Sequence, residues 1–146
     1  MVVLTLVAVA IGMMVAAQAG VNAQLRSVIG QPIVAALFSF AIGTIALSVI
    51  TLLSRAQLPT SETMSRVPWW GWTGGLLGAV YITAAVVLAP RLGAAVLIAS
   101  VVTGQLAAAL LLDHFGLLGF PQKTVTVTRG IGALLLFVGV YFIQRR

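Results

Sequence analysis

The sequence predicts an all-α polytopic membrane protein of five transmembrane helices, and three observations carry that prediction. Of the 146 residues, 61% are apolar and only 7% charged, whereas a water-facing domain needs roughly 25% charged residues to cover itself. The mean hydropathy is +1.17. The few charges fall between uncharged stretches near the ~20 residues that cross ~30 Å of hydrocarbon. A soluble globular fold is excluded.

The spans follow in order. Residues 2–25 carry no charge, and Thr5, Gln18, Asn22 and Gln24 are their only polar side chains. Arg26 to Gly30 interrupts, and residues 31–54 form a second uncharged span ended by Arg55. Residues 58–68, with two prolines, Glu62 and Arg66, read as a polar loop. The third span is 69–89, which Pro90-Arg91 is expected to break because proline removes a backbone donor. The fourth is 92–112, closed by Asp113-His114, and the fifth is 127–144 with Arg145-Arg146 at its end. Together they make a single transmembrane domain over residues 1–146. Ala17-Gln18-Ala19 has the small residues of a signal-peptidase site, but no Lys or Arg precedes it and the apolar run is too long for a signal peptide. The alternation of Thr124 to Thr128 resembles a strand; a lone strand would leave its edges unpaired beside lipid, so a connector into the fifth span is expected.

The charges bear on orientation. With the N-terminal side called face A, that face carries Arg55, Arg66, Lys123 and Arg129, and face B carries Arg26, Arg91, Arg145 and Arg146. Lys/Arg bias normally sets topology, with acids contributing little, and here the count is balanced. Balance predicts insertion both ways and pairing of opposite copies as an antiparallel homodimer of 5 + 5 helices, an inverted-repeat architecture made without gene duplication. The competing reading is that one helix-end charge is misassigned, or that hydrophobicity gradients fix one orientation. Small residues support close helix packing. Ala8, Gly12, Ala16 and Gly20 form one ridge, and Gly71, Gly74, Gly75 and Gly78 form two overlapping GxxxG pairs.

Polar residues inside spans are the candidates for function. Gln18, Asn22 and Arg26 recur every four residues and make one stripe on the first helix. Gln105 lies past the middle of the fourth span, and inverting a partner chain brings its Gln105 to roughly the depth of Gln18. The candidate substrate-binding residues are Gln18, Asn22, Gln105, Trp72 and Tyr81. Trp69 and Trp70 fit an interfacial belt, while Trp72 lies one turn deeper. Cavity lining and interhelical hydrogen bonding both remain open for Gln18 and Asn22; for Gln105, Ser100, Thr103 and Thr83 the second is favoured. Neither a mid-span carboxylate nor a nucleophile–base pair is present, so an enzyme is not expected. Two acids, one histidine and no cysteine leave no multi-residue metal site, no cofactor is implied, and eight scattered Lys/Arg form no nucleic-acid surface. The expected partners are the lipid bilayer, a second copy and a small-molecule solute.

Several strings resemble one family. Gln18-Ala-Gly-Val-Asn22-Ala-Gln-Leu25, Gly30-Gln-Pro32, and Ala36-Leu-Phe-Ser-Phe40 with Gly43 are similar to the first two helices of the YdcZ-type family. Pro68-Trp-Trp70, Gly74-Gly-Leu-Leu-Gly-Ala79-Val-Tyr81 and Ala89-Pro-Arg-Leu-Gly-Ala94 resemble its third helix and tight turn. Gly104-Gln-Leu106 and the run from Leu110 to Pro121 resemble its fourth helix and following loop. The resemblance implies a five-helix member of the drug/metabolite transporter superfamily in a bacterial inner membrane, occurring as singletons, oppositely biased pairs or fused forms. It implies a transporter class and no particular ligand; the chain itself is read as an inner-membrane transporter or exporter of a small polar metabolite or drug-like solute, working by alternating access at the interface of an antiparallel dimer. A dual-topology channel and an auxiliary membrane subunit are the alternatives. The architecture also resembles that of the four-helix small multidrug resistance proteins, but the first helix has Gln18 and Asn22 where a proton/cation antiporter needs a carboxylate.

Overall fold

A computed structural model of the protein describes residues 2–145. Met1 lies outside the described residues, as does Arg146, one of the face-B charges. Five helices are long and apolar enough to cross a bilayer. They are α1 (Val2–Ile29), α2 (Pro32–Leu53), α4 (Thr73–Leu92), α5 (Ala94–Phe115) and α6 (Val127–Gln144). A one-turn helix, α3 (Ser61–Ser65), stands in the loop after α2, where Thr60 accepts from the Thr63 N–H as its cap. The chain divides into two compact units, Met1–Arg91 and Leu92–Arg146.

Three helix ends differ from the sequence expectation for one physical reason. Charge stops the hydrocarbon but does not stop backbone hydrogen bonding. α1 runs past Arg26 to Ile29 and ends at Gly30, whose φ of +81° only glycine adopts without strain. α5 runs through Asp113-His114 and ends at Gly116 (φ +62°), whose N–H donates back to the Leu112 carbonyl. α4 begins at Thr73, after a 3₁₀ turn over Trp69–Trp72, and continues through Pro90 to Leu92. The expected break at Pro90 does not occur.

In the first unit the core is small because its residues are small. Ala35 and Ala36 of α2 meet Ile82 and Val86 of α4, with Leu25 and Ile29 of α1 and Tyr81 packed against them. Alanine lets the helices approach where lipid supplies no hydrophobic drive between them. Gly78 serves the same purpose, since a Cβ there would lie 3.3 Å from the Phe40 ring. On the α1 ridge Ala16 is half-buried, but a Cβ at Gly12 or Gly20 would meet no described atom within 4 Å.

The second unit is the α5–α6 hairpin, tied at its connection. The Lys123 N–H donates to the Asp113 carbonyl at 2.7 Å, and the Gln122 amide donates to the His114 carbonyl at 3.1 Å. The Val125 N–H donates to His114 Nδ1, and Thr126 caps α6. The segment from Thr124 is thus a connector, as expected. Arg129 donates to the Lys123 carbonyl and forms an ion pair with Asp113. The side chains of Arg129 and Asp113 are 35% and 22% exposed, which places the pair between a surface and a buried bridge. Asp113→Asn is therefore expected to cost the hairpin about 1–2 kcal/mol, read as a lower unfolding midpoint in mixed micelles. An unchanged midpoint would show that the neutral ties hold the connection alone.

Candidate functional site

The first unit contains a groove of about 320 Å³ between α1, α2 and α4. Gln18 contributes from α1. From α2 come Ser39, Phe40, Gly43, Thr44 and Leu47, and from α4 Gly78, Tyr81 and Ile82. Gln18 is exposed to this space and its amide makes no hydrogen bond among the described residues. Helical spacing explains the rest of the wall: Ser39 and Gly43 are four residues apart on α2, and Gly78 and Tyr81 three apart on α4, so each pair shares a helix face.

The hydroxyls along α2 are compatible with lipid because they bond to their own helix. Thr44 donates to the Phe40 carbonyl at 2.9 Å, Ser48 to Thr44 at 2.8 Å and Thr51 to Leu47 at 2.8 Å. Ser48 and Thr51 line a second hollow of about 410 Å³ that shares Thr44 and Leu47 with the first. The two hollows adjoin along α2. A larger hollow of about 600 Å³ lies between Ile33 and the Thr83–Val87 face of α4, but Thr83 is the one hydroxyl in an otherwise apolar wall. It has nothing to orient a polar solute and suits an acyl chain.

The structure brings Gln18 and Tyr81 together and places the other candidates elsewhere. Asn22, one turn from Gln18, is 4% exposed and does not line the groove. Trp72 is 56% exposed in the 3₁₀ turn before α4 and is also outside the lining. Gln105 is exposed on α5 in the second unit. Thr103 donates to the Ala99 carbonyl of its own helix at 2.8 Å rather than across helices. Ser39 and Thr44 escaped the sequence reading; their position inside an uncharged span was the available signal. Among the described residues no three His, Cys, Asp or Glu side chains come together to hold a metal.

One contact beyond the groove was not legible in the sequence. Pro90 sits inside α4, and having no N–H it cannot bond the carbonyl four residues back. That carbonyl belongs to Val86, which is fully buried. Arg26 of α1 donates to it through Nη1 at 3.3 Å. The proline survives in the helix because a guanidinium from the neighbouring helix meets the carbonyl it leaves. Both acids of the chain are engaged elsewhere, Glu62 with Arg66 and Asp113 with Arg129. Among the described residues the charge of Arg26 has no carboxylate beside it.

Comparison with known proteins agrees with this architecture. The model of a family described as "Putative inner membrane exporter, YdcZ" matches residues 3–142. The chain is 32% identical over 114 residues to the inner membrane protein YdcZ of Escherichia coli K12, covering 78% of this chain and 76% of that protein. No solved structure matches. Five apolar helices, the family match over nearly the whole chain and this relative together place the protein in the inner membrane as a multi-pass protein, and the chain belongs to the YdcZ family of described exporters.

Proposed function

We propose that the protein exports a small polar solute by alternating access, working as an antiparallel homodimer in which the α1–α2–α4 groove of each copy contributes half of the site. The observation that carries this reading is the Gln18 amide. It is unpaired among the described residues and opens onto a groove shared with Tyr81. An amide in hydrocarbon needs a partner, and a polar solute is one. The ridge of Ala8, Gly12, Ala16 and Gly20, exposed at all but half-buried Ala16, offers a second copy a smooth surface, and the four-to-four charge balance supports opposite insertion. By its depth on α5, Gln105 of the partner is the proposed second amide. A mid-membrane carboxylate is absent, so solute affinity is expected to stay flat between about pH 6 and 8.

The test is Gln18→Ala. Loss of a solute hydrogen bond costs about 1–3 kcal/mol in apparent affinity and leaves the dimer nearly unchanged. If Gln18 only bridges helices, solute affinity stays and dimer stability falls by about 0.6 kcal/mol. A channel is the second reading, favoured by the hydroxyls of Thr44, Ser48 and Thr51 along two adjoining hollows. Saturable flux stimulated by counter-substrate identifies a carrier; unsaturated flux without counter-stimulation identifies a channel.

A further inference from the structure

We infer that Arg26 and Asn22 form an oxyanion-binding site, at which a carboxylate or phosphate group accepts hydrogen bonds from both side chains. Arg26 is half-buried in the last turn of α1, and the one hydrogen bond of its side chain among the described residues goes to a backbone carbonyl through a single nitrogen. That contact spends one donor and neutralises no charge. Both acids among the described residues are held by other arginines, so no carboxylate among those residues meets the charge.

Asn22 lies one turn away on the same stripe, 4% exposed and without a hydrogen bond among the described residues. Among those residues no fully buried side-chain nitrogen or oxygen lacks a partner. The small exposed part of Asn22 therefore includes its amide. A guanidinium with free donors one helical turn from a reachable amide N–H suits an acceptor-only, negatively charged group, and a cation is repelled. The position of Arg26 is fixed by Pro90: the carbonyl of Val86 holds the guanidinium in place while leaving its other nitrogens free. Planar donor geometry held in advance is what carboxylate and phosphate recognition needs.

The site does not depend on the transport reading. If oxyanions fail to bind, the Gln18 groove still stands, and if Gln18→Ala leaves transport intact, this site still stands. The source of the oxyanion is either a soluble solute or a lipid headgroup, and the experiment separates them.

The full chain, purified in neutral detergent at constant ionic strength, is titrated with succinate and with inorganic phosphate, against glycerol and tetraphenylphosphonium as neutral and cationic probes. Thermal stability is then compared in phosphatidylcholine and phosphatidylglycerol nanodiscs. Because Arg26→Gln alone strands the Val86 carbonyl, the decisive variant is Arg26→Gln combined with Pro90→Ala, whose restored N–H serves that carbonyl. Pro90→Ala alone is the control: it loosens Arg26 from the Val86 carbonyl but keeps the guanidinium, so it should bind oxyanions more weakly than the native chain and more tightly than the double variant. The expected result is saturable binding of succinate or phosphate, weakened about ten-fold or more in the double variant, with no binding of glycerol or tetraphenylphosphonium. Stabilisation by phosphatidylglycerol alone, lost in the double variant, would support the site and assign it to a headgroup. Absence of both effects, or effects that persist unchanged in the double variant, would overturn it.

Discussion

Three lysines placed beside Arg145 and Arg146 are expected to fix the chain in one orientation and bring transport to background. Face B then carries seven basic residues against four on face A, where the native chain carries four on each. A bias of that size near the end of a span is sufficient to set topology. Every copy then inserts alike, and no inverted partner exists to complete the site. The same lysines beside Arg55 should lock the opposite orientation and be equally inactive. Expressing the two locked forms together should restore transport, because each supplies the inverted copy that the other lacks. Retention of full transport by either locked form alone would remove the antiparallel dimer from the account.

Gly78→Leu is expected to abolish transport while leaving the protein folded. A Cβ at Gly78 would stand 3.3 Å from Cζ and 3.7 Å from Cε1 of Phe40. Phe40 is 37% exposed and lines the groove itself, so its ring can give way by the few tenths of an ångström that alanine requires. Gly78→Ala should therefore transport almost normally. Leucine adds a branched side chain that enters the groove beside Tyr81 and Gln18. Its packing strain of about 1–3 kcal/mol is partly offset by the roughly 1 kcal/mol that glycine costs a helix interior. Solute flux in proteoliposomes and thermal stability, measured on both variants, separate blockage from unfolding. Normal flux through Gly78→Leu would place the solute path elsewhere.

The number and order of the spans were legible in the sequence because uncharged length is a direct reading of the solvent. Helix ends were not. Arg26, Pro90 and Asp113 mark where hydrocarbon gives way, yet α1, α4 and α5 continue past them. Gly30 and Gly116, with positive φ, are the stops for α1 and α5, and they were present in the sequence as the stronger signal. Of the candidate site, the four-residue spacing of Gln18 and Asn22 correctly put them on one helix, but stripe membership says nothing about which neighbour each side chain meets. Gln18 faces the groove and Asn22 turns toward burial beside the Arg26 turn. The Arg26–Val86 contact spans sixty positions of sequence and depends on what proline removes from a different helix. No local pattern encodes such a pair.

The antiparallel dimer is the claim on which the transport reading turns, and cysteine labelling tests it most directly. The native chain has no cysteine, so a thiol introduced by Ala56→Cys or by Gln144→Cys is unique and leaves the four-to-four charge count intact. Each variant is labelled with an impermeant maleimide, first on intact cells and then after the membrane is opened. Dual insertion predicts that each position is labelled in part from outside and in full only after opening. Labelling of Ala56→Cys wholly from one side and of Gln144→Cys wholly from the other would contradict it.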